Sequence, residues 1–296
     1  MNWETRLIAL YLKIDEYYHN ELHWLCQRFS NNSIPWFSDV ELLTVYLFGL
    51  MEKRRQLIDI HTHTCNHLRE WFPQLPSYAK FNTRLNFLCS IFPRLSENIL
   101  AECSDSQVLL HIKLIDSMPI ILANAKRSHH AKVAKEFANK GFCASKGIYY
   151  YGVKLHVLAL RRPGCLPIAE NVKLTAASDH DLKVLEFIAP YLSNGQLYAD
   201  RAYIDELLKT IMNQEQNFQI YTPVKKQKGQ QTDLDYFQKL LSTSVSSIRQ
   251  PIESFFNWIE QKTGIQCASK VRSYKGLITH VFGRLAAALF MLVFNW

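Results

Sequence analysis

Glycine and proline are scarce in this chain, ten of each among 296 residues. That scarcity excludes collagen-like repeats and Gly/Pro-rich low-complexity scaffolds. Charge is sparse too, 20% of residues against 48% hydrophobic, which excludes intrinsic disorder because ample apolar material is present for a core. The opening residues, Met1-Asn2-Trp3-Glu4-Thr5-Arg6, lack an apolar run with a cleavage site, so no secretory leader is expected. Long hydrophobic runs are missing apart from Leu285 to Trp296, apolar except for Asn295. That run falls short of the roughly 20 residues a membrane span needs, so it is expected to be a buried helix that closes the core, with no membrane partner. Seven cysteines, an odd number scattered from Cys26 to Cys267, do not form a disulfide framework. They point to a reducing, cytoplasmic compartment.

The chain is long enough for two domains of ordinary size. Its net charge of +8 and pI near 9.0 suit a polyanionic partner. Residues 1–105 read as helical. Ser38-Asp39-Val40-Glu41 is a capping box, with Leu42, Leu43, Tyr46, Leu47 and Leu50 following at helical spacing. A second helix starts at Pro76-Ser77, with Phe81, Leu85 and Leu88 inward and Lys80, Thr83, Arg84 and Asn86 exposed. Arg84 and Asn86 are therefore candidate DNA contacts on the second helix of a helix-turn-helix. An ordinary surface helix has the same pattern.

From residue 106 to 296 the pattern changes to strands alternating with helices. Val108, Leu110, Ile112 and Leu114 share one parity, and Asp116 follows on the same face. Tyr151, Val153, Leu155 and Val157 form a second strand, with Lys154 and His156 on its other face. Strands at 166–174, 196–200 and 218–221, with helices at 178–189, 205–214 and 249–263, complete a mixed α/β sheet flanked by helices. The C-terminal helix is expected to pack on this second domain.

Three acids stand out. Asp116 and Asp200 each end an apolar strand, where functional sites gather in open sheets. Glu253 borders the apolar stripe Ile252, Phe255, Phe256 and Ile259 of a helix. Three carboxylates without His or Cys make a hard-oxygen site suited to Mg²⁺ or Mn²⁺, and two such ions serve in-line phosphoryl transfer. Glu253 paired with Arg249 one turn earlier is the plainer alternative. Asp179 and Asp181, after Ser178 at a helix start, compete for a place in the site but are equally suited to the helix dipole.

The blocks Ile115-Asp116-Ser117-Met118-Pro119, Tyr151-Gly152-Val153-Lys154-Leu155-His156, Ala199-Asp200-Arg201-Ala202-Tyr203 and Arg249-Gln250-Pro251-Ile252-Glu253-Ser254-Phe255-Phe256 together resemble the signature blocks of DDE transposases from bacterial insertion sequences. The closest resemblance is to the insertion-sequence family numbered 982, over roughly residues 35–290. It implies an RNase H-like catalytic domain preceded by an all-α DNA-binding region, with Asp116, Asp200 and Glu253 as catalytic acids holding two Mg²⁺ (or Mn²⁺) ions. It also implies cutting and joining of DNA at terminal inverted repeats and into target DNA, with a homodimer pairing the two ends near the bacterial nucleoid. Arg249 and Glu253 keep the spacing of the wider superfamily, while Ser246 and Glu260 replace its Tyr and Lys. An RNase H-like nuclease that cuts without joining, and a non-catalytic DNA-binding derivative, are the alternatives.

Basic residues cluster between 125 and 146, where Lys126, Arg127, Lys132, Lys135, Lys140 and Lys146 face Glu136 alone. Directly after the strand of the first acid, this stretch is placed to grip phosphates. Lys154, Lys225, Lys226 and Arg249 are further candidate DNA contacts.

Overall fold

The computed structural model describes residues 2–28, 35–103, 105, 107–224 and 235–296. They form two compact units: Met1–Ser104 together with Ile259–Trp296, and Asp105–Trp258.

The first unit is helical, with α1 (Trp3–Asn20), α2 (Asp39–Met51), α3 (Leu57–His67), α4 (Tyr78–Phe87) and α5 (Ile91–Ala101). Ser38 starts α2 as its sequence requires: its hydroxyl accepts from the Glu41 N–H at 3.1 Å, and the Glu41 carboxylate accepts from the Ser38 N–H at 2.7 Å. α2 is buried along almost its whole length, which makes it the axis of this unit.

The second unit is built on a six-stranded mixed sheet. Its strands are β1 (Leu109–Asn124), β2 (Asn139–Cys143), β3 (Ile148–Arg161), β4 (Ile168–Ala176), β5 (Gly195–Tyr198) and β6 (Phe218–Tyr221). The order is β2-β3-β1-β5-β6, with β4 also on β3. β3 is antiparallel to β1, β2 and β4, whereas β5 and β6 run parallel to β1. One edge of β3 is shared: β2 takes residues 148–152 and β4 takes 153–160. At the crowded meeting of β1 and β3, Gly152 admits no side chain, since a Cβ there would lie 2.0 Å from the Ile120 carbonyl oxygen.

Helices α6 (Leu182–Ile188) and α7 (Glu206–Gln216) cover one face of the sheet. Leu185, Ile188 and Met212 pack there on Ile115, Leu158, Leu197 and Phe218. This is the RNase H-like mixed sheet with flanking helices expected from the sequence. Helix α8 (Tyr236–Thr263) begins well before the expected residue 249. The Ser/Thr-rich stretch 242–247 hides its start, because short hydroxyl side chains compete for backbone hydrogen bonds and weaken the helical signal.

The last helix, α9 (Tyr274–Val293), corrects the sequence reading in two respects. It packs against α2 and α5 and belongs to the helical unit rather than to the sheet. Gly283 lets it approach closely, since a Cβ there would lie 2.6 Å from the Tyr46 ring. At 20 residues it is also long and apolar enough to cross a membrane by length and composition, but 72% of its most apolar window is buried within the structure. The seven cysteines form no disulfide.

Candidate active site

Asp116 does not end its strand. β1 runs on for eight more residues, paired with β3 as far as Asn124. Its pairing with β5 stops much earlier, at Leu114–Tyr198. Continuing that parallel register by two places puts Asp116 level with Asp200, just beyond β5. Asp116 thus sits at a step in the sheet, where one neighbour continues and the other has ended.

The neighbours of Asp116 divide by strand parity. Ile115 enters the core beneath α6 and α7, and Asp116 points to the other side, where it meets Arg249 of α8. The Arg249 Nη1 donates to Asp116 Oδ2 at 2.6 Å, and its Nη2 donates to Glu253 Oε1. One guanidinium therefore ties the first acid to the third. The other Asp116 oxygen, Oδ1, accepts from the Ser117 N–H at 2.8 Å. Burial pushes the Asp116 carboxyl up to about 6 against the pull of Arg249 and the Ser117 N–H, and the charges of Asp200 and Glu253 push it further in the same direction. Asp200 caps a 3₁₀ turn, Arg201–Tyr203, by accepting from the Arg201 N–H.

Ser117 points to the α6 face. Its hydroxyl donates to Asp181 Oδ2 at 3.2 Å, and Lys154 Nζ donates to Asp181 Oδ1 at 2.7 Å and to the Asp179 carbonyl at 2.8 Å. Asp181 is thus joined to the residue next to Asp116 rather than capping a helix with its side chain. His156 lies deeper and is buried. Its Nε2 lies 2.9 Å from the Thr175 hydroxyl and its Nδ1 lies 3.5 Å from the Tyr203 hydroxyl. Burial pulls this imidazole down to about 4, which leaves it neutral at pH 7. The same burial, with the charges of Asp181, Asp116 and Asp200, holds the Tyr203 phenol well above its usual range. Lys154 and His156 share a face of β3 as expected, but His156 is buried there and Lys154 is half-buried and paired with Asp181.

The three expected acids are electrostatically coupled, but Arg249 bridges two of them. Among the described residues no three His, Cys, Asp or Glu side chains stand together as a ready metal cage. The donor set still fits a hard cation, since it offers carboxylate oxygens with no thiolate or imidazole.

The expected DNA contacts separate clearly. Lys126, Arg127, Lys132, Lys135 and Lys146 are exposed on the segment after β1. Lys154 and Arg249 are engaged with the acids just described. Lys225 and Lys226 lie outside the described residues. Arg84 has a different task from base reading: its Nε donates to Asp39 Oδ1 at 2.8 Å and its Nη2 to the Cys26 carbonyl at 2.7 Å, with a second bond to Asp39. Asn86 turns back on its own helix, with Nδ2 donating to the Asn82 carbonyl and side chain. Lys80 and Thr83 remain exposed on α4.

Sequence reasoning missed the Ser117–Asp181–Lys154 chain and the His156–Tyr203 contact. The signal available was parity, since Lys154, His156 and Leu158 alternate on one face and Leu158 is a core residue.

Residues 107–270, more than half of the chain, match the family model described as a transposase DDE domain. The match contains Asp116, Asp200, Arg249 and Glu253. A comparison with curated proteins finds no match.

Proposed function

The chain belongs to the DDE transposases, and from that premise we propose that it is the transposase of a bacterial insertion sequence, of the family numbered 982. In this reading it binds the terminal inverted repeats of its element, cuts DNA there and joins the freed end to target DNA, acting as a dimer in the cytoplasm. The observation that carries the proposal is Asp116, half-buried at the step of the sheet, level with Asp200 and tied through Arg249 to Glu253.

Asp116, Asp200 and Glu253 would hold two Mg²⁺ or Mn²⁺ ions. When bound, these would supply Lewis-acid stabilisation and an activated oxygen nucleophile for phosphoryl transfer. The chain's own residues do the rest. The Ser117 N–H and Arg249 fix the two oxygens of Asp116 in direction, and Arg249 keeps Glu253 turned toward the first acid. The Arg249 Nε is buried and has no hydrogen-bond partner among the described residues. On the opposite face of the sheet, the neutral His156 and the protonated Tyr203 are buried side by side beneath the site. Asp181, neutralised by Lys154, orients Ser117.

The exposed bases after β1 would grip the DNA backbone. Substituting Lys126, Arg127, Lys132 and Lys135 together by Ala should weaken DNA binding and flatten its salt dependence, by about 0.9 in the log–log slope for each phosphate that is no longer neutralised. Affinity measured across a salt series tests this, and an unchanged slope removes the stretch from the interface.

A joining assay tests the whole reading. Labelled element-end DNA and plasmid target are mixed with protein in Mg²⁺ or EDTA. Metal-dependent cutting with transfer into the plasmid supports transposition. Cutting without transfer supports a nuclease, and binding without either supports a non-catalytic derivative.

A further inference from the structure

The β2–β3 hairpin carries Phe142 and Tyr149 directly opposite one another in register. Their ring centroids are 4.9 Å apart, and the two residues are 50% and 60% exposed. Two large rings kept in water at a fixed backbone register are a platform without a core to fill. The Lys140 ammonium lies 5.0 Å over the Tyr149 ring and 3.3 Å from the His129 ring, so positive charge is fixed at the edge of the platform.

The platform forms one wall of a solvent-open cleft of about 510 Å³, and the loop after β4, which includes Asp181, faces it. The acids on that loop do not leave it negative, because Asp181 pairs with Lys154 and Asp179 with Lys183. The cleft reaches toward the candidate active site through Ala202, two residues past Asp200, which lines it. Asp181 in its wall holds the hydroxyl of Ser117, whose side chain lies on the opposite face of the sheet from that of Asp116.

Exposed aromatic faces beside a lysine are the elements that recognise unstacked nucleobases: the rings take the base and the ammonium takes its phosphate. A paired duplex keeps its bases stacked inside and offers nothing to such rings. We propose that the Phe142–Tyr149 platform binds an unpaired DNA base in the cleft that Ala202 connects to the Asp200 turn, with Lys140 on the adjoining backbone. This rests on the DNA-processing function proposed above, and it adds that the strand is locally unpaired at the site.

The test uses full-length protein in EDTA, so that no cleavage occurs. Two short random-sequence duplexes are compared by fluorescence anisotropy, one fully paired and one with a single unpaired 2-aminopurine at its centre. Wild type should bind the second about tenfold more tightly, the low end for one stacked base, and should quench the 2-aminopurine. Phe142→Ala combined with Tyr149→Ala should bring the affinity ratio to about one and abolish the quench, whereas Phe142→Trp should retain both. Equal binding of the two duplexes by wild type, or a quench that survives the double substitution, overturns the platform and leaves the DNA-processing function standing. No binding to either duplex also overturns the platform, and the DNA-processing function is then judged by the joining assay on element-end DNA.

Discussion

Asp200→Asn should abolish cleavage and joining of end DNA, with a rate loss of about a thousandfold, while leaving the fold and DNA binding intact. Asn has the size of Asp and keeps the oxygen that accepts from the Arg201 N–H, so the 3₁₀ turn survives. The change removes one negative charge from a site whose hard-oxygen chemistry depends on it. A loss of about 4 kcal/mol of metal stabilisation corresponds to roughly three decades in rate. The charge of Asp200 also disfavours ionisation of Asp116, so its removal relieves a repulsion, and the thermal midpoint should hold or rise. Single-turnover cleavage in Mg²⁺, beside a melting curve, measures both effects. Wild-type cleavage by the variant would reject the metal assignment.

Arg84→Ala should destabilise the helical unit by about 3 kcal/mol, because it leaves a buried carboxylate without its main counter-charge. Asp39 is only 6% exposed, and Arg84 provides two donors to it. Arg28 stays within 3.0 Å and limits the loss. Replacing both partners, Arg84→Met with Asp39→Leu, should recover most of the stability, since two apolar side chains need no pairing. Urea unfolding of wild type, the single variant and the double variant gives the comparison. Unchanged stability, with loss of preference for end DNA over random duplex, would return Arg84 to the DNA-reading role that its exposed helical position suggested.

Arg84 also marks the boundary between what a sequence displays and what it conceals. The Ser38 capping box and the Phe218–Tyr221 strand are local, encoded within four residues each, and both are where the sequence puts them. Arg84 and Asp39 are 45 residues apart, and nothing local distinguishes an arginine facing DNA from one facing a buried carboxylate. The extension of β1 beyond Asp116 was hidden for another reason. Beyond Asp116 burial still alternates, at Met118, Ile120 and Leu122, but Met118-Pro119-Ile120-Ile121-Leu122-Ala123 is apolar at every position, so the sequence shows no two-residue period there. Asp116, Asp200 and Glu253 were legible as candidates from strand ends and helix borders. The link of Asp116 to Glu253 through Arg249 was half legible, because Glu253 is one helical turn from Arg249, whereas Asp116 is 133 residues distant.

The step in the sheet at Asp116 also bears on the order in which the chain acquires its structure. β1, β3 and β4 form an antiparallel meander that needs only modest loops, while β5 pairs with β1 across more than eighty residues. Shorter loops close at lower entropic cost, and distant parallel pairings come late. Newly synthesised chain should therefore hold Asp116 for some time before Asp200 arrives beside it. During that interval it would be inert toward the DNA around it, and the ability to cut would appear only once β5 and the helix that carries Glu253 have joined β1.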